Sequence, residues 1–578
     1  MVEHQTLNLA VEGSNPSGLA FLKKMKEGFV LSLEKNIEKE QKEVKFWADA
    51  LAEKIIERKQ FHFTDEKTPK LKKWSVKSSS SLSGVLHIGR LSDLVRSEAV
   101  FRALEEKKFP AEFIYITEDM DPLRKIPKGV PASFEQYLGM AVSDIPDPFG
   151  CHESYDKHHL EEFLKVSEKF LSAKPKVFSM REEYKKGSFS KEILEIVNNS
   201  GKVKEVINQF KESKLEDSWN PWKPICENCG KLQTTEVLKI EGSKVEYECK
   251  DYEFETTIAK GCGFKGSSDI SKANGKLAWK SEWAMQWKRW NVCSEGAGKE
   301  YESKNSAFWI NAEICEKVLH FPMPEPIFYE HLMIDGVKMS ASLGNIVYPK
   351  EWLEVSRPEA LRLLYLKRLM KTRSFSWQDI PLLELELDRL AEAVSEKKGD
   401  EKERLNNERL LHFVSFSKKP ITTVKIDYSL ALMLAQLFQN NEEALEKLEE
   451  MKHISGKEPK KELEAIFERL KLARTFAEKH ALPGQKISFA ENFDAKSIEP
   501  AIAALLSKIG EKISKATSAE EVQTLVFNTA KENNLQPPKL FYALYSTIIA
   551  KPQGPKFGSL VFALGKERVA ERLKQVKV

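Results

Sequence analysis

The chain has 578 residues, enough for three to four domains, and its 41% hydrophobic and 31% charged residues exclude a disordered polymer. No apolar run is long enough to span a bilayer, and no apolar signal core follows a basic start, so a soluble cytoplasmic protein is expected. With 91 basic and 87 acidic residues the net charge is only +4, and any nucleic-acid footprint must be local. Seven cysteines, an odd number, argue against a disulfide framework, and four of them cluster as metal ligands do.

Residues 1–45 form an N-terminal extension. Val11-Glu12-Gly13-Ser14-Asn15-Pro16-Ser17 has no periodicity, and Gly-Ser-Asn-Pro is what the T-arm of a tRNA gene encodes when read in frame. The expectation is that the first twenty residues are a spurious start. From Phe21 to Arg58 the pattern is helical, with Leu51, Ile55 and Ile56 as its apolar stripe. Trp74 to Lys77 starts a short strand. A serine-rich turn follows, and Gly84 to Gly89 leads into a helix containing Leu94, Val95, Ala99 and Leu104. Ala111 to Thr117 is the next strand, and strand, glycine turn, helix, strand opens a parallel α/β domain. Residues 128–222 are expected to be loops and helices inserted into it. Residues 223–270 carry the cysteines and β-type segments such as Lys244 to Glu248, and 271–345 return to mixed α/β character. Helices dominate beyond Trp377. Leu382 to Val394 is one, ending before a charged linker, 395–404. Lys461 to His480 is another, stopped by Pro483-Gly484, and Ser518-x-x-Glu521 is a capping box opening a third. The tail from Lys551 to Val578 sets seven basic residues against Glu567 and Glu571. It suits either a nucleic-acid footprint or a solvated helix face.

Two short motifs carry chemistry. His87-Ile88-Gly89-Arg90 sits on a strand-to-helix turn, where free N–H groups and the positive dipole end suit phosphate and a glycine lets a flat base approach the backbone. A histidine on a turn is, taken alone, more often structural. Lys338-Met339-Ser340-Ala341-Ser342 offers a lysine and two hydroxyls as a pyrophosphate clamp, although such a loop alone is usually solvated surface.

In this order, across an α/β domain, the pair resembles the HIGH and KMSKS signatures of class I aminoacyl-tRNA synthetases. Longer stretches resemble the class I lysyl-tRNA synthetases in particular. These are Phe46 to Asp49, Glu118-Asp119-Met120-Asp121-Pro122-Leu123-Arg124-Lys125-Ile126-Pro127, and Tyr137 to Met140. Asp147-Pro148-Phe149-Gly150-Cys151-His152-Glu153-Ser154-Tyr155 is the most specific of them. Gly275 to Trp283, Ala297-Gly298-Lys299 and Gly554-Pro555-Lys556 extend the match over about residues 46–578.

The resemblance implies a Rossmann-type catalytic domain over 46–345, with an insertion at 128–222 and a zinc-ribbon-like element at 223–270. A stem-contact linker at 346–394 and an all-α anticodon-binding domain at 395–578 would follow. It implies a lysine–tRNA ligase that forms lysyl-adenylate from lysine and ATP, then passes the lysyl group to the 3′ end of tRNA(Lys). Catalysis would be positioning and charge stabilisation. His87, Gly89 and Arg90 would hold ATP, and Lys338, Ser340 and Ser342 would stabilise pyrophosphate, with Mg²⁺ sharing that load. The lysine ε-ammonium needs a carboxylate, for which Asp119, Asp121 and Glu282 are candidates, or an aromatic face, for which Trp279, Trp283 and Tyr329 are. Core packing is the competing explanation for each aromatic. Cys226-x-x-Cys229 with Cys249 and Cys262 could close a structural tetrahedral zinc site. Cys151 is read as a positioning element, not a covalent nucleophile. A monomer is expected, since nothing suggests a dedicated interface.

Several positions depart from the family pattern. Leu82 stands where a proline is usual, Arg90 where an asparagine or histidine ends the HIGH motif, Glu300-Tyr301 where Asp-His follows the Gly-Lys pair, and Leu343 where the loop carries a second lysine. The segment Asn305 to Trp309 also replaces a Gly-Ser-Ser run. Losing one charge-assisted contact slows a step about 10- to 100-fold, and the planar fork of Arg90 could offset it. The alternative is a catalytically weakened paralogue that binds tRNA without efficient aminoacylation.

Overall fold

The computed structural model describes residues 46–576 apart from 83, 85, 273, 340–344, 417–420, 422–423 and 494–497. The expected N-terminal extension and the loop serines Ser340 and Ser342 therefore lie outside the described residues. Helix α1 (Trp47–Glu57) buries Ala48, Ala52 and Ile55, whereas Ile56, expected in its apolar stripe, is exposed.

Strand β1 (Trp74–Ser81) runs four residues further than expected, because the serine run continues the strand instead of turning. It pairs in parallel with β2 (Ala111–Glu118) along its whole length, from Trp74 opposite Ala111 to Ser81 opposite Glu118. A buried hydroxyl needs a partner, and Ser78 Oγ has one, donating to Asp93 Oδ2 at 2.5 Å. The crossover is helix α2 (Ile88–Glu106), whose apolar side lies fully inside the core.

The region 128–222 is more than loops and helices. After helix α3 (Tyr155–Ser167) it supplies β3 (Lys176–Ser179), a strand of the main sheet, followed at once by helix α4 (Met180–Lys185). Residues 223–270 form separate small sheets, the larger joining β4 (Thr235–Glu241), β5 (Lys244–Cys249) and β6 (Lys265–Asp269) antiparallel. Helix α5 (Trp279–Arg289) then leads into β7 (Val292–Gly298), and β8 (Glu325–Tyr329) completes a five-stranded, all-parallel sheet in the order β8-β7-β1-β2-β3. The chain leaves β1 for β2 on one side and returns to β7 on the other. The carboxyl ends of β1 and β7 thus flank a topological switch point, where open parallel sheets place their ligands.

A small sheet follows, of β9 (Leu332–Ile334), β10 (Val337–Lys338) and β11 (Arg373–Phe375). Helix α6 (Pro358–Leu366) carries Arg362, fully buried, whose Nη1 donates to Glu98 Oε2 at 2.7 Å and to Phe170 O at 2.6 Å. Its Nε donates to Val414 O at 2.8 Å, so one guanidinium ties α2, α6 and the end of a later helix together. That helix, α8 (Glu401–Val414), follows α7 (Ile380–Ser395), so the expected linker at 395–404 shortens to 396–400. Asp400 caps it by accepting from Glu403 N at 2.8 Å. Arg409 then docks it on the α/β half through Asp49 and Glu106, at 2.7 and 2.8 Å.

From Tyr428 to Lys574 the described residues hold eight further helices, including Lys460–Lys479 and Ala519–Glu532, the latter capped by Ser518 as expected. A buried network joins the halves. Arg469 of helix Lys460–Lys479 reaches Asp388 of α7 at 2.5 and 2.8 Å, and Arg357 reaches Asp388 and Glu384 at 2.7 Å. Removing one member of a buried ion pair strands its partner. Arg362→Met should therefore lower stability by about 3–5 kcal/mol, read as an earlier midpoint in equilibrium chemical unfolding. Restoration of most of that loss is expected when Glu98→Gln is added.

Candidate active site

A cavity of about 590 Å³ opens at the carboxyl ends of the central strands. Ser79 to Ser81 of β1, Glu118 of β2, Gly296 to Gly298 of β7 and Tyr329 of β8 form its floor. His87, Gly89 and Arg90 enter from the turn into α2, Trp279 and Trp283 from α5, and Lys338 from β10. Eight of the residues singled out from the sequence thus converge on one space: His87, Gly89, Arg90, Asp121, Trp279, Trp283, Tyr329 and Lys338.

His87 is the residue before α2, and its Nδ1 accepts from Gly89 N at 3.1 Å. The ring proton is therefore on Nε2. Burial, helped by the nearby Arg90 charge, pushes the imidazole down to about 4, so it is a neutral donor at physiological pH. Gly89 is needed for this geometry, because a Cβ there would lie 2.7 Å from His87 Cε1. Across the cavity, Lys338 Nζ lies 3.5 Å from His331 Nε2, which in turn lies 2.9 Å from Glu300 Oε2. Glu300 therefore belongs to the rim beside the lysine loop, whereas Tyr301 packs edge-on against Trp283.

Beneath the cavity is a buried polar layer. Lys77 of β1 pairs with Glu295 of β7. The Glu295 carboxylate also accepts Trp283 Nε1 at 2.9 Å and Trp287 Nε1 at 2.5 Å. Trp279 stacks on Trp283 with ring centres 4.9 Å apart. Glu118 accepts Gln286 Nε2 at 3.1 Å on Oε2, while its Oε1 lies 3.9 Å from Lys77 Nζ and has no hydrogen-bond partner. Burial pushes its carboxyl up to about 8, against the pull of Lys77. Asp93 has one oxygen bonded to Ser78 and lies against Tyr329 and the Arg96 charge; burial raises its pKa against the pull of these groups.

Two of the expected carboxylates are elsewhere. Asp119 turns away from the cavity, accepting Arg181 N at 2.8 Å and Thr117 Oγ1 at 2.8 Å, so it caps the start of α4. Glu282 is fully buried against Lys276 and accepts the Tyr184 hydroxyl at 2.7 Å. Tyr329 reaches the cavity, but one face of its ring is taken by the Arg96 guanidinium, 4.4 Å from the centroid, so that face is closed to a substrate cation.

The four cysteines do come together. Cys226 and Cys262 sulfurs are 3.6 Å apart, Cys229 and Cys249 3.7 Å, and all four lie within 4.8 Å of one another. A tetrahedron with Zn–S bonds of ~2.3 Å has edges of ~3.8 Å, so this donor set fits zinc. A second set was not singled out from the sequence: Asp147, Cys151, His152 and His158. Cys151 Sγ lies 3.3 Å from Asp147 Oδ2, 3.1 Å from His152 Nδ1 and 3.3 Å from His158 Nδ1. These are edges of mixed sulfur, nitrogen and oxygen coordination. The spacing Asp-x-x-x-Cys-His-x-x-x-x-x-His is the signal that could have found it.

A histidine–glycine turn and a lysine that line one cavity at the switch point of a parallel sheet define a class I aminoacyl-tRNA synthetase. Residues 45–415 match the family described as tRNA synthetases class I (K), and the chain belongs to that family. Residues 428–577 match the family described as anticodon binding domain. Similar proteins include a lysine–tRNA ligase of Methanocaldococcus jannaschii, 30% identical over 91% of this chain and 99% of its own. One of Cenarchaeum symbiosum is 31% identical over 91% of this chain and 97% of its own. One of Archaeoglobus fulgidus is 29% identical over 91% of this chain and 99% of its own.

The burial of His87 has a direct spectroscopic consequence. In a histidine-selective NMR titration of the folded protein its ring should stay neutral until about pH 4, well below the ordinary histidine range. A midpoint near 6.5 would contradict the packing described.

Proposed function

We propose that this protein is a lysine–tRNA ligase, and the observation that carries the reading is the convergence of His87 and Lys338 on the strand-end cavity. The lysine α-carboxylate attacks the α-phosphorus of ATP. The new O–P bond forms as the bond from the α-phosphorus to the bridging oxygen breaks, and pyrophosphate leaves with that electron pair. His87, its proton on Nε2, donates to phosphate oxygens as charge develops, and Arg90 offers a second, bidentate donor set. Lys338 stabilises the departing pyrophosphate, a role in which Ser340 and Ser342 would share by their hydroxyls. ATP brings Mg²⁺, which neutralises part of the phosphate charge. The ribose hydroxyl of the terminal adenosine of tRNA(Lys) then attacks the acyl carbon, and AMP leaves. The helical half reads the anticodon, and the reaction belongs to the cytoplasm, carried out by a monomer.

Cys226, Cys229, Cys249 and Cys262 hold a structural zinc ion, and Asp147, Cys151, His152 and His158 hold a second. Each would supply folding energy to its segment, with no part in the bond changes. Metal analysis of the purified protein should find two zinc ions per chain, falling to one in Cys151→Ser; a single ion in both would exclude the second site.

Lysine-dependent ATP–pyrophosphate exchange with tRNA present is the deciding assay. Exchange with lysine is expected, and Arg90→Asn should slow it about tenfold, the worth of one charge-assisted contact. Absence of exchange with any amino acid would leave a tRNA-binding paralogue. An unchanged rate in the Arg90 variant would remove that residue's role.

A further inference from the structure

A lysine that is to receive pyrophosphate must not already be paired with a carboxylate. Two carboxylates, Glu300 and Glu330, line the cavity together with Lys338. Glu330 is held by Lys299 at 2.9 Å. Glu300 pairs with no lysine or arginine among the described residues. Its partner is His331, whose Nε2 lies 2.9 Å from Glu300 Oε2.

The backbone brings these groups together. Glu300 lies in the short turn after β7, and His331 directly precedes β9. Lys338 of β10 stands opposite Met333 of β9 in an antiparallel pair. Side chains alternate along a strand, so His331, two residues before Met333, falls on the face of Lys338 and diagonal to it. The ring thus touches both the acid and the lysine, with Lys338 Nζ 3.5 Å from the same Nε2.

One ring nitrogen cannot serve both neighbours. With its proton, Nε2 donates to Glu300 and leaves Lys338 unbonded. Without it, Nε2 accepts from Lys338 and turns a lone pair towards the carboxylate. Glu300 is the nearer of the two and its charge strengthens the bond, so the proton is on Nε2. Burial holds the ring below the ordinary histidine range; Lys338 and Lys299 add to that effect, and Glu300 and Glu330 oppose it. The ring is therefore a neutral donor at physiological pH.

We infer that His331 is a positioning residue for Lys338: by engaging Glu300 it keeps that carboxylate from pairing with the lysine, which stays available to the leaving pyrophosphate. The inference rests on the ligase reading of the site. It concerns the pyrophosphate end of the cavity alone, so the amino-acid substrate should not sense it.

Two variants of similar shape separate this role from packing. The amide nitrogen of glutamine falls near the place of Nε2 and can still donate to Glu300; that of asparagine falls near Nδ1 and cannot. Lysine-dependent pyrophosphate exchange is measured on the full-length protein with tRNA present, varying pyrophosphate and lysine in turn. His331→Asn should lower kcat/KM for pyrophosphate about fivefold, the weight of an exposed carboxylate–ammonium pair, and leave the KM for lysine unchanged. His331→Gln should recover most of that loss. Adding Glu300→Gln to His331→Asn should also recover it, because the competing charge is gone. A loss that Glu300→Gln does not restore, an equal loss in His331→Gln, or no loss in His331→Asn would each overturn the assignment. If His331→Asn does not fold, His331→Ala with and without Glu300→Gln makes the same comparison. Failure of the wild type to exchange with lysine would refute the ligase reading, and the inference with it.

Discussion

The ion pair between Lys77 and Glu295 sits where the two central strands run side by side, Lys77 opposite Glu295 in the parallel register. Burying two charges is expensive unless every remaining hydrogen-bonding position is satisfied. Here Glu295 is satisfied by two indole N–H groups, so the price of burial also sets the orientation of α5. From that follow the place of Trp283, the stack of Trp279 on it and the edge contact of Tyr301. Lys77 spends its charge on Glu295 and stops short of a hydrogen bond to Glu118. The site's shape and the placing of Glu118 beneath it have the same origin.

The parts of the fold legible in the sequence were those with local causes. Strand, glycine turn and helix around His87 were readable because the turn chemistry and the apolar periodicity change together there. The serine run after Lys77 reads as a turn because serine has little intrinsic strand preference; its strand character comes from pairing with β2 along the full length, which is not local information. The segment 395–404 reads as a linker because charges fill it; residues 396–400 do connect two helices, whereas 401–404 are helical through the Asp400 cap and the docking of Arg409.

The site was legible to the level of the motif and not of the side chain. Glu118 and Asp119 are adjacent acids at the end of β2, and alternation sends one to the cavity and the other to the start of α4. Composition cannot choose between them without knowing which face α5 covers. Glu282 is a candidate from the sequence as a carboxylate for the ε-ammonium, but Lys276 and Tyr184 claim it from the inside. The basic tail shows the same limit. Arg568 and Arg572 stack on Phe489, at 3.9 and 4.7 Å from its ring centre, and Lys566 donates to Ala516 O at 2.7 Å. Much of the charge that suggested an RNA footprint thus holds the helical half together.

Gly296 lies against Asp93, and a Cβ built on it would fall 1.9 Å from Asp93 Oδ1. No rotation of a neighbouring tip relieves such a contact, since Asp93 is itself anchored by Ser78. A side chain at 296 therefore requires the acid at 93 to shorten or withdraw, which would break its bond to Ser78. That couples a plain glycine on a strand to a carboxylate on the neighbouring helix, so the two positions tolerate change together or not at all.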